Sequence, residues 1–260
     1  MTLPADFDRA VARLRARPGA TALLFDFDGT LSPVVDDPAA ASPSADVPEL
    51  LDALAQRYLQ VAVLSGRPVD FLASMLPTSV ALSGLYGLET RVDGAVVDHP
   101  EAVRWRPRVA EALQGARDAA GAGGPIHGAV VEAKGLSLTL HVRTRPELAA
   151  AVGRVAATLA DQTGLVVRPA KMSVELHPPI DADKGSALRS LVGGAGAVLF
   201  VGDDVGDLPA FAALEQLDQG IHAVAVAVDS DELPDEVRRS ASLVLPNQAD
   251  VVQLLRALVV

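Results

Sequence analysis

Paired carboxylates directly after an apolar run are the first chemical signal in this sequence. Asp26 and Asp28 lie in the segment DFDGTL, which follows the apolar run Thr21–Phe25. Because ligands bind beyond the carboxyl ends of the strands in open parallel sheets, both carboxylates stand where a site is expected. The segment alone also fits an ordinary turn, in which Asp and Gly are common. It does not fit an EF-hand calcium loop, which needs a third oxygen ligand and a distal Glu.

A second acidic segment follows another apolar run. The sequence GDDVGD begins after Val201 and brings Asp203, Asp204 and Asp207 into one loop. Such a cluster is costly unless water solvates it or a cation neutralises it. Two acidic loops at the ends of two strands of one sheet predict an oxygen-ligand site for Mg²⁺, which prefers a few carboxylates, water and phosphate oxygens.

Two further segments have the chemistry of an anion site. The segment Ser65–Arg67 (SGR) follows an apolar run, where a hydroxyl and backbone N–H groups can hold a phosphate. Lys184 stands at the predicted start of a helix; a cation there opposes the helix dipole, so it is better placed to face an anion. Only three of the 22 basic residues are Lys, at 134, 171 and 184, which favours a specific role for these ammonium groups.

Apolar strands that alternate with helical patterns must position these residues, and they predict a parallel sheet covered on both faces. The predicted strands are Thr21–Phe25, Leu59–Leu64, Ser79–Leu82, Ala197–Val201 and His222–Val228. The predicted helices are an N-terminal amphipathic one that ends before Pro18, then Val47–Tyr58, Phe71–Leu76, Leu208–Leu217 and Gln248–Leu258.

The middle of the chain predicts a separate α/β segment. It contains a hairpin over Glu89–Asp98 that turns at Asp93-Gly94, helices Pro107–Ala120 and Pro146–Thr163, and strands Ile126–Ala133, Leu136–Arg143, Leu165–Arg168 and Met172–His177. This pattern predicts a core domain formed by residues 1–103 and 182–260, with an inserted domain over about 104–181.

Composition excludes several classes of protein. The chain has 260 residues, a net charge of −11 and no Cys, which rules out disulfides, thiolate metal sites and a cysteine nucleophile. The acidic balance argues against a nucleic-acid partner. No apolar run approaches the roughly 18 residues of a membrane span, and no signal peptide is evident, so a cytoplasmic protein without a membrane partner is expected. Zinc-hydrolase HExxH and serine-hydrolase GxSxG patterns are absent from the sequence.

The four motifs, taken in order, resemble those of the haloacid dehalogenase (HAD) superfamily of aspartate-nucleophile phosphatases. The DxDGT segment is the most specific, and the Ser, the Lys-Gly pair and GDDxxD agree with the other three motifs. The resemblance implies an α/β, HAD-like fold: a doubly wound parallel-sheet core with an inserted α/β cap domain of the C2 type.

The same resemblance implies a mechanism. Asp26 attacks phosphorus to form an aspartyl-phosphate, while Asp28 protonates the leaving alkoxide and then activates water. Mg²⁺ is bound partly through the backbone carbonyl of Asp28, with Asp207 close by or acting through water. The implied roles are catalysis by Asp26, Asp28 and Lys184, substrate binding by Ser65, Gly66 and Arg67, and metal binding by Asp26, Asp28, Asp203 and Asp207.

Within this superfamily the sequence is similar to trehalose-6-phosphate phosphatases over nearly its whole length. The similarity rests on FDFDGTLSP at 25–33 with DDP at 36–38, LSGR at 64–67, GLYGLE at 84–89, VEAK at 131–134, HVR at 141–143 and KMSVE at 171–175. It implies a mobile cap that closes over the sugar and directs these residues toward it: Glu132, Lys134, Arg143, Lys171 and Glu175. From the residues alone, Glu132 and Lys134 also fit an exposed charge pair on a hairpin.

One motif departs from the family pattern. The fourth motif of the family usually reads GDDxTDExxF, whereas Gly206, Leu208 and Pro209 stand here in place of the Thr, the Glu and the position after it. The expected metal ligands Asp203 and Asp207 are kept, so the departure concerns substrate contacts near this loop.

The resemblance implies Mg²⁺-dependent hydrolysis of trehalose 6-phosphate to trehalose and phosphate. The alternatives are a phosphatase of another sugar phosphate, such as sucrose 6-phosphate or a glucosyl- or mannosyl-3-phosphoglycerate, and a phosphotransferase. A non-catalytic partner module of a synthase is a further alternative, although the Asp26 and Asp28 pair argues for catalysis. Functional coupling to a trehalose-6-phosphate synthase is a further expectation.

Overall fold

A computed structural model of the chain describes residues 5–35, 37–170, 172–231 and 233–259. The chain divides into two compact units. The core unit consists of Met1–Val97 and Ala182–Val260, and the inserted unit of Asp98–Asp181. The inserted unit thus begins before position 104, the boundary expected from sequence, because it includes the short helix Pro100–Val103.

The elements are numbered in chain order. The strands are β1 Thr21–Phe25, β2 Gln60–Leu64, β3 Ala81–Gly84, β4 Glu89–Val92, β5 Ala95–Asp98, β6 Val130–Ala133, β7 Leu138–His141, β8 Val166–Ala170, β9 Ser173–His177, β10 Ala197–Gly202, β11 His222–Val228 and β12 Leu243–Leu245. The α-helices are α1 Ala5–Arg15, α2 Val47–Ala55, α3 Val69–Ala73, α4 Pro100–Val103, α5 Arg106–Ala120, α6 Ala149–Thr163, α7 Lys184–Leu191, α8 Leu208–Glu215, α9 Asp235–Ser240 and α10 Ala249–Val259. Within the described residues, no helix is both long and apolar enough to cross a membrane.

The main sheet has the strand order β12-β11-β10-β1-β2-β3-β4-β5. The pairs from β12 to β3 are parallel, and β4 runs antiparallel to β3. Phe25 at the end of β1 aligns with Val201 of β10 and Val63 of β2, so the loops that follow these three strands meet at one edge. The strand order reverses at β1, and this reversal is where ligands bind in such sheets.

Both faces of this sheet are covered, as the apolar strands predict. Leu23 and Phe25 of β1 belong to the hydrophobic cluster on one face, which includes residues of α1, α2 and α10. Ala22 and Leu24 belong to the cluster on the opposite face, with residues of α7 and α8. Fully burying a side chain such as Phe25 contributes about 1.5–3 kcal/mol, so this two-sided core holds the strand ends rigidly in place.

The inserted unit has its own core. Its four strands form an antiparallel sheet in the order β6-β7-β9-β8. Leu138, Leu140 and Leu176 point to one face and pack in a cluster that includes residues of α5 and α6. Because side chains alternate along a strand, Thr139 and Glu175 lie on the opposite face of the sheet.

The strand expected from Ile126 and the hairpin turn expected at Asp93 have different outcomes. The strand expected over Ile126–Ala133 begins only at Val130, because Gly128 has a φ of +92° that interrupts extended backbone. Ile126 is nevertheless fully buried, so its apolar character marks a core loop rather than a strand. The hairpin turn is confirmed: Asp93 and Gly94 have φ values of 51° and 78°, as a tight two-residue turn requires.

Candidate active site

Three buried carboxylates converge at the edge where β1 and β10 end. Asp26 follows β1 directly, and Asp203 and Asp207 belong to the loop after β10. One oxygen from each of the three side chains lies within 4.8 Å of the others. The grouping matches three of the four residues predicted to bind a metal.

Two glycines allow these carboxylates to approach the backbone. A Cβ atom on Gly29 would lie 2.0 Å from Oδ2 of Asp203, and the φ of +83° at Gly29 favours glycine independently. A Cβ atom on Gly202 would lie 2.3 Å from Cγ of Asp207. The glycines of DFDGTL and GDDVGD therefore make room for the acids, in addition to forming turns.

Lys184 places an ammonium group inside this acidic cluster. Its Nζ donates to Oδ1 of Asp26 at 2.5 Å and to Oδ1 of Asp207 at 2.6 Å, and the residue is only 3% exposed. The start of α7 is fixed by a reciprocal cap in which Asp183 accepts from the Ser186 N–H and Ser186 accepts from the Asp183 N–H. The lysine is therefore aimed at the carboxylates by the helix start, as its position in the sequence predicts.

Electrostatics within the cluster favour an added cation. Burial raises the pKa of Asp26 well above its ordinary value, and Asp207 and Asp203 raise it further, although Lys184 lowers it. Burial also raises the pKa of Asp207, against the opposing effect of Lys184. Burial would lower the pKa of Lys184, but Asp207, Asp26 and Asp204 together outweigh it, so this pKa is raised. One ammonium group thus faces an excess of carboxylates, a donor set of hard oxygens that fits Mg²⁺.

Asp207 has a positioning role that sequence reasoning missed. Its Oδ1 accepts from Lys184, while its Oδ2 accepts from the backbone N–H groups of Asp203 at 2.8 Å and Asp204 at 3.0 Å. Both carboxylate oxygens therefore hold neighbouring groups. The sequence signal for this role is the position of Asp207 four residues after Asp203. At that spacing a carboxylate can accept hydrogen bonds from backbone N–H groups of its own loop.

Asp28 lies against Arg67 rather than in the buried acidic group. The guanidinium donates from Nε to Oδ2 at 2.8 Å and from Nη2 to Oδ1 at 2.7 Å, a bidentate pair. Arg67 also stacks over the ring of Phe71, 4.6 Å from its centroid. Its backbone N–H donates to Oγ of Ser65, which is 1% exposed. The pair therefore joins the loop after β1 to the loop after β2, which includes Gly66.

The segment GLYGLE, residues 84–89, holds the loop after β2 in place through hydrogen bonds. Oε2 of Glu89 accepts from the N–H of Val69 at 2.8 Å, at the start of α3. The N–H groups of Leu85 and Tyr86 donate to the carbonyls of Arg67 and Ser65, both at 3.0 Å. The sequence analysis did not predict this positioning role, because it identified the segment only by its similarity to the family motif.

The inserted unit gathers most of its predicted site residues on one face of its sheet. Glu132 aligns with Thr139, and Thr139 aligns with Glu175, so these three side chains form a row. Nζ of Lys134 lies 3.8 Å from Oε2 of Glu175, and Oγ of Ser137 donates to Oε1 at 2.6 Å. The side chains of Lys134 and Glu175 are buried, at 9% and 3% exposure, so Lys134 is not the exposed hairpin charge that the sequence alone allowed.

The remaining predicted residues of this unit differ in how they are held. Nε2 of His141 lies 2.7 Å from Oε2 of Glu132, a partner not assigned from sequence. Arg143 follows β7 and is half-buried. Lys171 lies outside the described residues.

Sequence and structural comparisons decide the family. The model of the trehalose-phosphatase family matches residues 24–243, which include all four motifs and the inserted unit. This chain belongs to the trehalose-phosphatase family. Among its curated relatives is the trehalose-phosphate phosphatase of Mycobacterium ulcerans, 35% identical over 235 residues, or 85% of this chain and 57% of the relative. That of Mycolicibacterium paratuberculosis is 37% identical over 205 residues, or 74% of this chain and 51% of the relative. The chain thus spans little more than half the length of these relatives.

A solved structure of Aspergillus fumigatus trehalose-6-phosphate phosphatase superposes on this chain with a TM-score of 0.65 at 27% identity. The match covers 100% of this chain and 99% of the other. A haloacid dehalogenase-like hydrolase from Bacteroides thetaiotaomicron shares the fold, with a TM-score of 0.62 at 15% identity over 91% of this chain and 97% of its own. The predicted HAD-like α/β fold with a doubly wound parallel sheet is confirmed.

Proposed function

We propose that this chain is a Mg²⁺-dependent phosphatase that hydrolyses trehalose 6-phosphate to trehalose and inorganic phosphate. The observation that carries the proposal is the buried group of Asp26, Lys184 and Asp207 beside Asp203. It combines a carboxylate nucleophile with a cation for the phosphoryl group and a surplus of oxygen ligands, in a chain of the trehalose-phosphatase family.

The proposed reaction has two displacements at phosphorus. A carboxylate oxygen of Asp26 attacks, the bond from phosphorus to the sugar oxygen breaks, and Asp28 gives its proton to the leaving alkoxide. Water then attacks the aspartyl-phosphate, Asp28 takes a proton from it, and phosphate leaves as the Asp26 carboxylate is restored. Arg67 holds both oxygens of Asp28 in a bidentate pair, so the acid step requires one of these oxygens to leave Arg67 and carry the proton to the leaving alkoxide.

The metal ligands in this proposal are the side chains of Asp26 and Asp203 and the backbone carbonyl of Asp28, with Asp207 acting through water. Bound Mg²⁺ supplies neutralisation of the carboxylates and of the phosphoryl oxygens. Lys184, which contacts both Asp26 and Asp207, binds a phosphoryl oxygen in this proposal. Ser65 and the backbone N–H groups of Gly66 and Arg67 bind the remaining phosphoryl oxygens.

The inserted unit is proposed to act as a cap that recognises the sugar. Its row of polar side chains suits a polyhydroxyl ligand, because carboxylates accept and ammonium groups donate hydrogen bonds. The residues assigned to sugar contacts are Glu132, Lys134, Arg143 and Glu175; Lys171 stays a prediction from the sequence. Coupling to a synthase likewise stays a prediction.

A substrate panel tests the proposal. Phosphate release is measured with Mg²⁺ from trehalose 6-phosphate, sucrose 6-phosphate, glucosyl-3-phosphoglycerate and mannosyl-3-phosphoglycerate. The highest kcat/KM is expected for trehalose 6-phosphate. A higher value for another ester would replace the proposed substrate, and formation of a new phosphate ester in place of free phosphate would indicate a phosphotransferase.

A further inference from the structure

The turn between β3 and β4 contains strained backbone at the edge of the site. Leu85 and Tyr86 are adjacent and have φ values of 50° and 58°, in the left-handed region that non-glycine residues rarely adopt. The other non-glycine residues with positive φ in the described parts of the chain, Asp93 and Met172, are isolated. Such strain persists only where surrounding contacts hold it, and it concentrates at functional sites.

The strained backbone directs the ring of Tyr86 between two loops of the catalytic site. A Cβ atom on Gly66 would lie 2.7 Å from both Cζ and the hydroxyl oxygen of Tyr86, so glycine is required for the ring to lie there. On the other side, a Cβ atom on Gly206 would lie 3.7 Å from Cε1. The ring is half-buried, and it is flanked by the loop after β2 and by the acidic loop after β10.

We propose that Tyr86 is a specificity-determining residue that contacts the sugar part of the phosphate ester. This inference rests on the proposed function. The two loops beside the ring are those assigned to the phosphoryl group and the metal, so the open part of the ring lies next to the bound phosphate. A phenol ring carries no positive charge for the phosphate, but its apolar face and polar tip match the C–H groups and hydroxyls of a sugar.

The residue opposite the ring is where the fourth motif departs from the family pattern. Gly206 replaces a Thr, and a Cβ atom there already meets Oδ1 of Asp204 at 3.0 Å and the ring at 3.7 Å. Because such a Cβ would already be in van der Waals contact with the ring, we expect the two further heavy atoms of a threonine to compete for space with the ring or the Asp204 carboxylate. We therefore expect Tyr86 and a side chain at position 206 to share one volume, which a glycine leaves to the ring.

Steady-state kinetics of Tyr86→Ala and Tyr86→Phe with two substrates tests this role. Trehalose 6-phosphate carries a sugar, whereas p-nitrophenyl phosphate does not. Tyr86→Ala is expected to lower kcat/KM for trehalose 6-phosphate at least tenfold more than for p-nitrophenyl phosphate, chiefly through KM. Tyr86→Phe keeps the ring and removes only the hydroxyl, so its loss of kcat/KM for trehalose 6-phosphate is expected to be smaller than that of Tyr86→Ala.

Equal losses on both substrates would assign Tyr86 a purely structural role and overturn the proposal, as would unchanged kinetics of Tyr86→Ala. If another sugar phosphate proves to be the substrate, the proposed function fails. The loss of kcat/KM caused by Tyr86→Ala is then compared between that ester and p-nitrophenyl phosphate. Calorimetric titration of trehalose 6-phosphate with Mg²⁺ in the Asp26→Asn background compares binding without turnover: weaker binding after Tyr86→Ala is added supports the contact, and equal binding contradicts it.

A double-mutant cycle tests the shared volume. Gly206→Thr is expected to lower kcat/KM for trehalose 6-phosphate at least tenfold in the wild type, because the new side chain displaces the ring. In the Tyr86→Ala background the same change is expected to cost less than threefold. Equal losses in both backgrounds would show that the two positions act independently, and would contradict the shared volume.

Discussion

At the scale of single residues, the stability of the buried acidic cluster depends on the ammonium group of Lys184. Lys184 is 3% exposed and contacts both Asp26 and Asp207. Removing one partner of a buried ion pair costs about 3–5 kcal/mol, because the remaining charges stay buried without compensation. Lys184 thus stabilises the metal-free fold as well as facing the phosphoryl group in the proposed reaction.

Replacing Lys184 by Met tests this dual role. In EDTA, Lys184→Met is expected to lower the free energy of unfolding by about 3 kcal/mol, and with Mg²⁺ it is expected to abolish turnover. Urea unfolding and phosphate release measure the two effects. Arg189→Met removes an exposed cation from the same helix and is the matched control, expected to change stability by less than about 0.5 kcal/mol. Equal destabilisation by both variants would contradict the compensating role of Lys184.

Replacing Asp26 by Asn separates catalysis from stability. Asp26→Asn is expected to lower kcat by at least about 10³-fold, because the proposed nucleophile is lost. Burial raises the pKa of Asp26, so its stabilising effect is present below the unfolded pKa of 3.8 and is lost as pH rises toward the folded pKa. In EDTA, the melting temperature of the wild type should therefore fall more steeply above about pH 4 than that of Asp26→Asn.

The surface variant Asp161→Asn is the control for this comparison, since Asp161 is exposed on α6. It is expected to follow the wild type in both turnover and pH dependence. If the melting temperatures of the wild type and of Asp26→Asn changed in parallel across this pH range, ionisation of the buried Asp26 would not destabilise the fold as predicted.

At the scale of elements, the positions of the acidic loops follow from the sequence, but their internal contacts do not. Apolar strands ending at Phe25 and Val201 were enough to place two acidic loops at one edge of a parallel sheet. The bidentate contact of Arg67 with Asp28 joins residues 39 positions apart, and neither local spacing nor composition encodes it. The left-handed backbone of Tyr86 was equally unpredictable, because that residue type rarely adopts it.

Strand ends were predicted less well than the strands themselves. Ile126 is apolar and fully buried, so its pattern resembles a strand, although the strand begins after Gly128, at Val130. Hydrophobic periodicity reports burial, and burial alone does not distinguish a core loop from an extended segment. The polar positions Glu132 and Glu175 fall on one face because the register of the sheet aligns both with Thr139.

Gly29 gives a sharp test of the loop after β1. Gly29→Ala places a methyl group 2.0 Å from Oδ2 of Asp203, so it is expected to weaken Mg²⁺ binding more than tenfold and to lower kcat more than 100-fold. Gly94→Ala is the matched control, since Gly94 has a similar φ of +78° but nothing within 4 Å of the added Cβ. Both variants share a backbone cost of about 1 kcal/mol. Calorimetry with Mg²⁺ and steady-state kinetics measure the difference, and equivalent behaviour of the two variants would rule out the steric argument.

At the scale of the whole molecule, charge is divided unequally between the two units. Within the predicted bounds 104–181 there are 10 Lys and Arg against 7 Asp and Glu, a net charge of +3, and the rest of the chain carries −14. The structural bounds 98–181 add Asp98 and Glu101, which reduces the excess to +1. The proposed recognition of an anionic sugar phosphate by the inserted unit therefore rests on individual side chains rather than on the net charge of the unit.

Lys134 is the side chain best suited to test the inserted unit. Lys134→Ala is expected to lower kcat/KM for trehalose 6-phosphate at least tenfold, with a smaller loss for p-nitrophenyl phosphate, which lacks the sugar. Arg117→Ala removes an exposed cation of α5 in the same unit and is expected to stay within twofold on both substrates. Equal losses of Lys134→Ala on both esters would remove Lys134 from sugar recognition.

The most direct test of the central claim is phosphate release from trehalose 6-phosphate by the intact chain, measured with Mg²⁺, with EDTA, and after Mg²⁺ is restored. The claim predicts steady release with Mg²⁺, loss of release in EDTA, and recovery on addition of excess Mg²⁺. No release in the presence of Mg²⁺, or release that EDTA leaves unchanged, would contradict it.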